Sequence, residues 1–262
     1  MNLGIADRVA LVTGSSRGIG KAVAEVLCEE GVHVALIARD HDRLDEMARE
    51  LSSRHGVRAV PVAADLASPG GPGRAIDEAR DQLGDIDILV NNAGDIPPGG
   101  LVDLDEEEIA RVWELKLWGY IRTCRALVPR MRELGWGRVV NVVGNAGKKP
   151  GAGSIYGGTA NAALINFSLA LAAEVAGDNV LVNVVNPGPI DTDRLRALAA
   201  RRAADQGVDV ADYVRTRDAS FPMGRPGTPR EVADVVAFLA SERCGYLAGA
   251  VIPVEGALRP VL

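Results

Sequence analysis

Cysteine and histidine are scarce in this 262-residue chain, and neither is arranged for chemistry. Cys28, Cys124 and Cys244 are far apart and lack metal-ligand spacing. That argues against a zinc site or a disulfide framework, and it predicts reduced thiols in a cytoplasmic protein. His33, His41 and His55 fall in or beside one strand–helix unit, which argues against both a metal site and a nucleophilic triad. Excess positive charge is also missing. A formal net charge of −6 predicts neither a nucleic-acid nor a membrane partner. Met1 to Arg8 show no signal-peptide pattern, and no segment reads as the roughly 20 apolar residues needed to span a bilayer.

What is present is an ordinary globular composition, 47% hydrophobic and 24% charged. Short β-branched runs alternate with longer helical patterns from end to end. The predicted strands are Val9–Thr13, Val32–Ile37, Ala59–Ala63, Ile86–Asn91, Arg138–Val143, Val180–Asn186 and Val251–Pro253. Helical patterns lie near 18–30, 41–55, 73–83, 105–134, 154–177 and 229–240. Runs such as Ile88-Leu89-Val90 lack in/out alternation, as strands covered on both faces should. The prediction is one domain over 1–262: an α/β, doubly wound parallel sheet. The segment from about 189 to 224 breaks the rhythm. It leaves the carboxyl edge of the sheet, where ligands bind, and is read as a substrate lid. It holds six Arg and six Asp, so its charge is balanced.

The first strand runs into Thr13-Gly14-Ser15-Ser16-Arg17-Gly18-Ile19-Gly20, followed by a helix. Glycines there allow a tight turn and close backbone approach, and free N–H groups at the helix start suit a pyrophosphate.

The three-residue gap between Gly14 and Gly18 resembles the short-chain dehydrogenase/reductase family, and other landmarks extend that resemblance along nearly the whole chain. Asp65-Leu66 resembles the family's adenine-contacting pair. Asn91-Asn92-Ala93-Gly94 resembles the motif lying along the cofactor. Pro187-Gly188-Pro189-Ile190-Asp191-Thr192 resembles the segment that holds the nicotinamide amide, with Ile190 and Thr192 in contact. The resemblance implies a single-domain Rossmann-like sheet and a cofactor site of Gly14, Ser16, Arg17, Gly18, Ile19, Gly20, Arg39, Asp65, Leu66, Asn91, Ala93, Gly94, Pro187, Gly188, Ile190 and Thr192. At the end of the second strand, Ala38 and Arg39 stand where an NAD-preferring protein places an acid. Arg17 and Arg39 suit a ribose phosphate instead, so NADP(H) is expected, with Asp40 as a complication.

The catalytic pattern is incomplete. The family's members use a Tyr that exchanges the substrate proton and a Lys four residues on. A Ser after the fifth strand and an Asn in the preceding long helix complete the set. Here the Tyr place is read as Tyr156, the Lys place as Ala160, the Ser place as Gly144 (with Asn145 next) and the Asn place as Lys116. Lys116 is the candidate to replace the missing Lys by delivering an ammonium near Tyr156; its alternative is a Lys that snorkels to solvent. Ser154 and Thr159 are the nearby hydroxyls, and Lys148 and Lys149 could meet an anionic substrate. The leading expectation is an NADP(H)-dependent oxidoreductase acting on a small-molecule carbonyl or alcohol with an altered proton relay. The alternatives are non-redox chemistry (cyclisation, elimination or isomerisation) and a non-catalytic cofactor sensor. Small residues around Gly157 and Gly158 imply close helix packing, and the resemblance implies a homodimer or homotetramer.

Overall fold

The apolar β-branched runs become the central strands of one parallel sheet. In the computed structural model, which describes residues 1–258, the strands are β1 (Val9–Thr13), β2 (His33–Ala38), β3 (Ala59–Ala63), β4 (Ile88–Asn91), β5 (Gly137–Val142), β6 (Val180–Pro187) and β7 (Val251–Val254). Their order is β3-β2-β1-β4-β5-β6-β7, with every neighbouring pair parallel. Strands β1, β4, β5 and β6 are buried along their whole length, which explains why their sequences do not alternate.

Helices cover both faces: α1 (Gly18–Glu29), α2 (His41–His55), α3 (Gly71–Leu83), α4 (Glu106–Trp113), α5 (Gly119–Leu134), α6 (Ile155–Val175), α7 (Asp193–Gln206), α8 (Val210–Ala219) and α9 (Pro229–Leu239). Several starts have a local cause. Asp40 caps α2 through Arg43 N–H, and reciprocal capping boxes open α4 (Asp105/Glu108) and α9 (Thr228/Glu231). The pattern expected as one helix over 105–134 is interrupted by a π-helical turn, Glu114–Trp118, between α4 and α5. Such turns re-aim side chains inside a helix, and this one carries Lys116. The stretch 189–224 forms α7 and α8.

One expectation needs correcting. With a mean hydropathy of 1.3 over its most apolar window, the helical segment Ile155–Asp178 is long and apolar enough to cross a membrane by length and composition. Its polar residues, Thr159, Asn161, Asn166, Ser168 and Glu174, do not gather on one face, so the helix lacks an amphipathic pattern. Leu164, Ala172 and Val175 nevertheless pack into the core beside the sheet, whereas Leu169 on the opposite side is exposed.

A buried polar chain ties sheet to helices. Asn91 donates to Asn141 Oδ1 (3.0 Å), Asn141 donates to Ser168 Oγ (2.9 Å), and Thr123 donates to Asn91 Oδ1 (2.8 Å). Every member is buried, so each lost partner would strand another polar group. The network fixes α5 and α6 against β4 and β5.

Candidate active site

The strand order reverses between β1 and β4, and the carboxyl ends of those two strands open a crevice. The glycine loop forms one wall. Gly14 has φ +67°, and a Cβ there would lie 2.9 Å from Ala93 Cα; a Cβ on Gly20 would lie 2.2 Å from Gly14 O. Only glycine fits at either position. The second wall, Asn91–Gly94, is laced to the first. Thr13 Oγ1 accepts from the N–H groups of Asn92 (2.9 Å) and Ala93 (3.0 Å), while Asn92 Nδ2 donates to Thr13 O (3.1 Å) and Gly14 O (3.2 Å).

The start of α1 faces the crevice without a side-chain cap and without an acid in its first turn. Its unpaired N–H groups and positive dipole end suit a diphosphate, and the side-chain-free cradle gives it room. A dinucleotide therefore fits the residues present. Ser16, Gly18 and Ile19 are half-buried along this loop.

Arg17, in the glycine loop, and Arg39, just past the end of β2, are both exposed. The acids nearby are engaged elsewhere: Asp40 caps α2, Asp42 lies by His41, and Asp45 pairs with Arg49. Asp40 thus acts at the helix start rather than between the two arginines. Asp65 is exposed after β3 and accepts from Ala67 N–H (3.0 Å), with Leu66 buried beneath it. Across the crevice, Pro187 ends β6 and Gly188 donates to Val254 O (3.0 Å). Ile190 is buried, and Thr192 Cγ2 would sit 3.3 Å from a Cβ on Gly18. Thr192 and Gly18 line an open surface hollow of about 290 Å³ with Lys21, Glu25, Asp191, Asp193 and Arg196, whose charges pair with one another. Asn91 is the exception among the residues expected to hold a cofactor. Its side chain is fully buried in the polar network, so it braces β4, and Ala93 and Gly94 form the wall.

The catalytic half is arranged differently from the sequence expectation. Lys116 does not snorkel outward. It is 5% exposed, and its Nζ donates to Tyr120 Oη (2.5 Å) and Val142 O (2.8 Å). A Cβ on Gly94 would lie 3.0 Å from Lys116 Cδ, so the lysine stem runs beneath the cofactor-side loop. Burial, reinforced by the positive charge of Arg194, brings the ammonium pKa down to about 7. Burial also pushes the Tyr120 phenol up, keeping it protonated.

Tyr156 is half-buried at the rim, where its Oη donates to Leu101 O (2.6 Å). No hydrogen bond joins it to Lys116 among the described residues. Together with Trp113 Nε1, which donates to Tyr156 O, and the Gly99–Ser154 bridge, it pins the loop after β4 onto the start of α6. Ser154 and Thr159 turn their hydroxyls to backbone carbonyls of their own segment. Lys148 and Lys149 are exposed, and Asn145 O accepts from both their N–H groups. Ala160 is buried and offers no polar group.

Three residues escaped the sequence reading. Tyr120 is the hydroxyl that meets Lys116, one helical turn on. Arg194 in α7 donates to Ile96 O (2.5 Å), joining the 189–224 segment to the loop after β4. Asn161 lies beside Gly144: a Cβ there would be 3.2 Å from Asn161 Nδ2. Asn161 had a signal, an amide in an otherwise small and apolar stretch, and so had Tyr120, four residues after Lys116 on the same helical run; Arg194 had none outside three dimensions.

Comparison with known proteins agrees with this architecture. A family model described as short chain dehydrogenase matches residues 8–203. The 3-oxoacyl-[acyl-carrier-protein] reductase of Aquifex aeolicus is 34% identical, over 98% of this chain and 100% of its own. An NADPH-dependent reductase of Bacillus subtilis is 30% identical, over 96% and 98% of the two chains. The crystal structure of L-sorbose reductase from Gluconobacter frateurii, complexed with NADPH and L-sorbose, superposes with a TM-score of 0.95 at 38% identity, covering 100% of both chains. The glycine cradle, the strand order and the full-length likeness agree, and the chain belongs to the short-chain dehydrogenase family.

Proposed function

We propose that this protein is an NADP(H)-dependent oxidoreductase that reduces a ketone or oxidises the matching alcohol with an altered proton relay. The glycine cradle at the strand-order reversal, flanked by the exposed Arg17 and Arg39, carries the proposal. The relatives named above include NADPH-dependent reductases, and two carry names of ketone-reducing enzymes. When bound, the nicotinamide supplies or accepts the hydride.

The chain's own part is to hold the dinucleotide and to move a proton. Lys116 holds that proton beneath Gly94, and Tyr120 and Val142 O orient it. In reduction the ketone oxygen takes one proton from Lys116 as the carbonyl carbon takes hydride; solvent then reprotonates the amine. Tyr156, the residue first expected to exchange the proton, shapes the rim by holding Leu101. The 189–224 segment closes over the cleft through Arg194 and Ile96. The exposed side of α6, with Leu169, is the surface on which a second copy of the chain packs.

The test is NADPH oxidation against a ketone panel with product identification. Substrate-dependent oxidation to an alcohol supports the proposal. Product formation with unchanged NADPH supports non-redox chemistry instead, for which the absence of a donor side chain at Gly144 and Ala160 is the motivating observation.

A further inference from the structure

Arg194 carries a positive charge that the proposed proton relay does not use. It stands in the first turn of α7, and its guanidinium donates to Ile96 O (2.5 Å) on the loop after β4. Because β5 lies between β4 and β6, this bond crosses the carboxyl end of β5, where Val142 O holds Lys116. The two cations are close enough for the charge of Arg194 to weigh on the Lys116 ammonium. Ile96 is backed by α6, since a Cβ on Gly157 would lie 2.5 Å from its Cγ2. The guanidinium thus spans the mouth of the crevice with one donor engaged and the rest of its fork open.

Arg194 has no ion pair among the described residues. Most acids of its own segment are taken: Asp191 and Asp193 pair with Arg196 (3.0 and 3.4 Å), Asp212 with Arg215 and Asp218 with Arg217, while Asp209 caps α8. Asp95, next to Ile96, is exposed, and the guanidinium bonds the Ile96 carbonyl rather than that carboxylate. The loop after β5 adds Lys148 and Lys149, both exposed, and its sequence from 144 to 154 holds no acid. Neighbouring cations without a counter-ion repel one another, and a bound anion offsets that repulsion.

We infer that Arg194 is a specificity-determining residue that binds an oxyanion on the substrate, a carboxylate or a phosphate, close to the ketone that Lys116 protonates. A guanidinium fork meets two oxygens of either group at once, which a single ammonium does not. The inference rests on the proposed function for the reacting group and adds the substrate class: keto acids or phosphorylated ketones, in preference to neutral ketones.

The experiment compares the full-length protein with Arg194→Met and Arg194→Lys at saturating NADPH. Pyruvate and acetoacetate are set against their methyl esters, and dihydroxyacetone phosphate against dihydroxyacetone. Loss of the bond to Ile96 lowers kcat/KM for both members of a pair, so the anion-to-neutral ratio isolates the ion pair. Wild type is expected to favour at least one anion by about 10-fold, a preference that Arg194→Met abolishes and Arg194→Lys keeps in part. A preference among the keto acids assigns a carboxylate, and one for the phosphorylated ketone assigns a phosphate. If neutral ketones are reduced and the ratio is the same in wild type and Arg194→Met, the inference is overturned and the proposed function stands, whether or not NADPH affinity falls in the variant. If no ketone is reduced, calorimetric titration of the same anions in the presence of NADP+ separates the two. Binding that is lost in Arg194→Met keeps the inference while the proposed function falls, and no such binding overturns both.

Discussion

Lys116 and Tyr120 lie one helical turn apart, and the buried ammonium donates to both the Tyr120 phenol and the Val142 carbonyl that the phenol also reaches at 3.1 Å. Among the described residues no carboxylate shares the pocket as a hydrogen-bond partner. A cation held this way is destabilising unless it performs a task, because neutral partners offset only part of its desolvation.

The first prediction is therefore thermodynamic. Lys116 has its pKa lowered from 10.5 to about 7, so between those values the unfolded chain binds more protons than the folded one. Stability rises with pH through that window, by at most about 1.4 kcal/mol per pH unit from this group. Lys116→Met removes the slope and stabilises the protein at pH 7 by about 1–3 kcal/mol, since Tyr120 still satisfies Val142 O. Urea unfolding of both proteins from pH 6.5 to 8.5 measures it. A variant less stable than wild type across that range contradicts it. The window stops below the ordinary thiol range because burial raises Cys28 and Cys124 to about 12, and such groups destabilise the fold as pH climbs past 9.

The second concerns turnover. Carbonyl reduction needs Lys116 protonated, so kcat falls as pH rises through about 7; alcohol oxidation needs it neutral and shows the opposite limb. Lys116→Met lowers kcat by about 100-fold or more with NADPH affinity kept. An unchanged pH profile in the variant assigns the limb to another group.

Tyr156 separates the relay from the rim. Tyr156→Phe loses the bond to Leu101 O and is expected to raise KM with kcat lowered by less than about 10-fold. A collapse of kcat in Tyr156→Phe, matching that of Lys116→Met, returns the phenol of Tyr156 to the proton-exchanging role first expected from the sequence.

Cofactor choice rests on two exposed cations. Arg17→Ala and Arg39→Ala each weaken NADPH by about 10-fold and leave NADH nearly unchanged, because only NADPH carries the extra phosphate. Isothermal titration of both cofactors decides this. Equal losses for the two cofactors count against a phosphate contact.

The sheet was legible because its central strands are buried on both faces and punctuated by glycine, so apolar runs and turns coincide in the sequence. The cofactor wall was legible for the same reason: Gly14 and Gly20 are dictated by backbone contacts that tolerate no side chain. The side-chain-capped starts of α2 and α9 fall on the expected residues, whereas those of α3 and α6, which lack such a cap, shift by one or two. The π turn at Glu114–Trp118 was not legible, since it keeps the helical pattern on either side while changing the direction of Lys116. Pairing of Lys116 with Tyr156 was expected from the landmarks of two separate helices. The hydrogen bond instead joins Lys116 to a phenol four residues on in its own helical run, a spacing the sequence carries but the family landmarks draw attention away from.

The central claim is NADPH-dependent redox turnover. It is tested most directly by following NADPH oxidation in the presence of ketones with and without an adjacent carboxylate, with wild type and Lys116→Met side by side and the product identified. Oxidation by wild type that depends on substrate, yields the alcohol and drops in the variant is the predicted result. Tight NADPH binding with no oxidation against any ketone would contradict it.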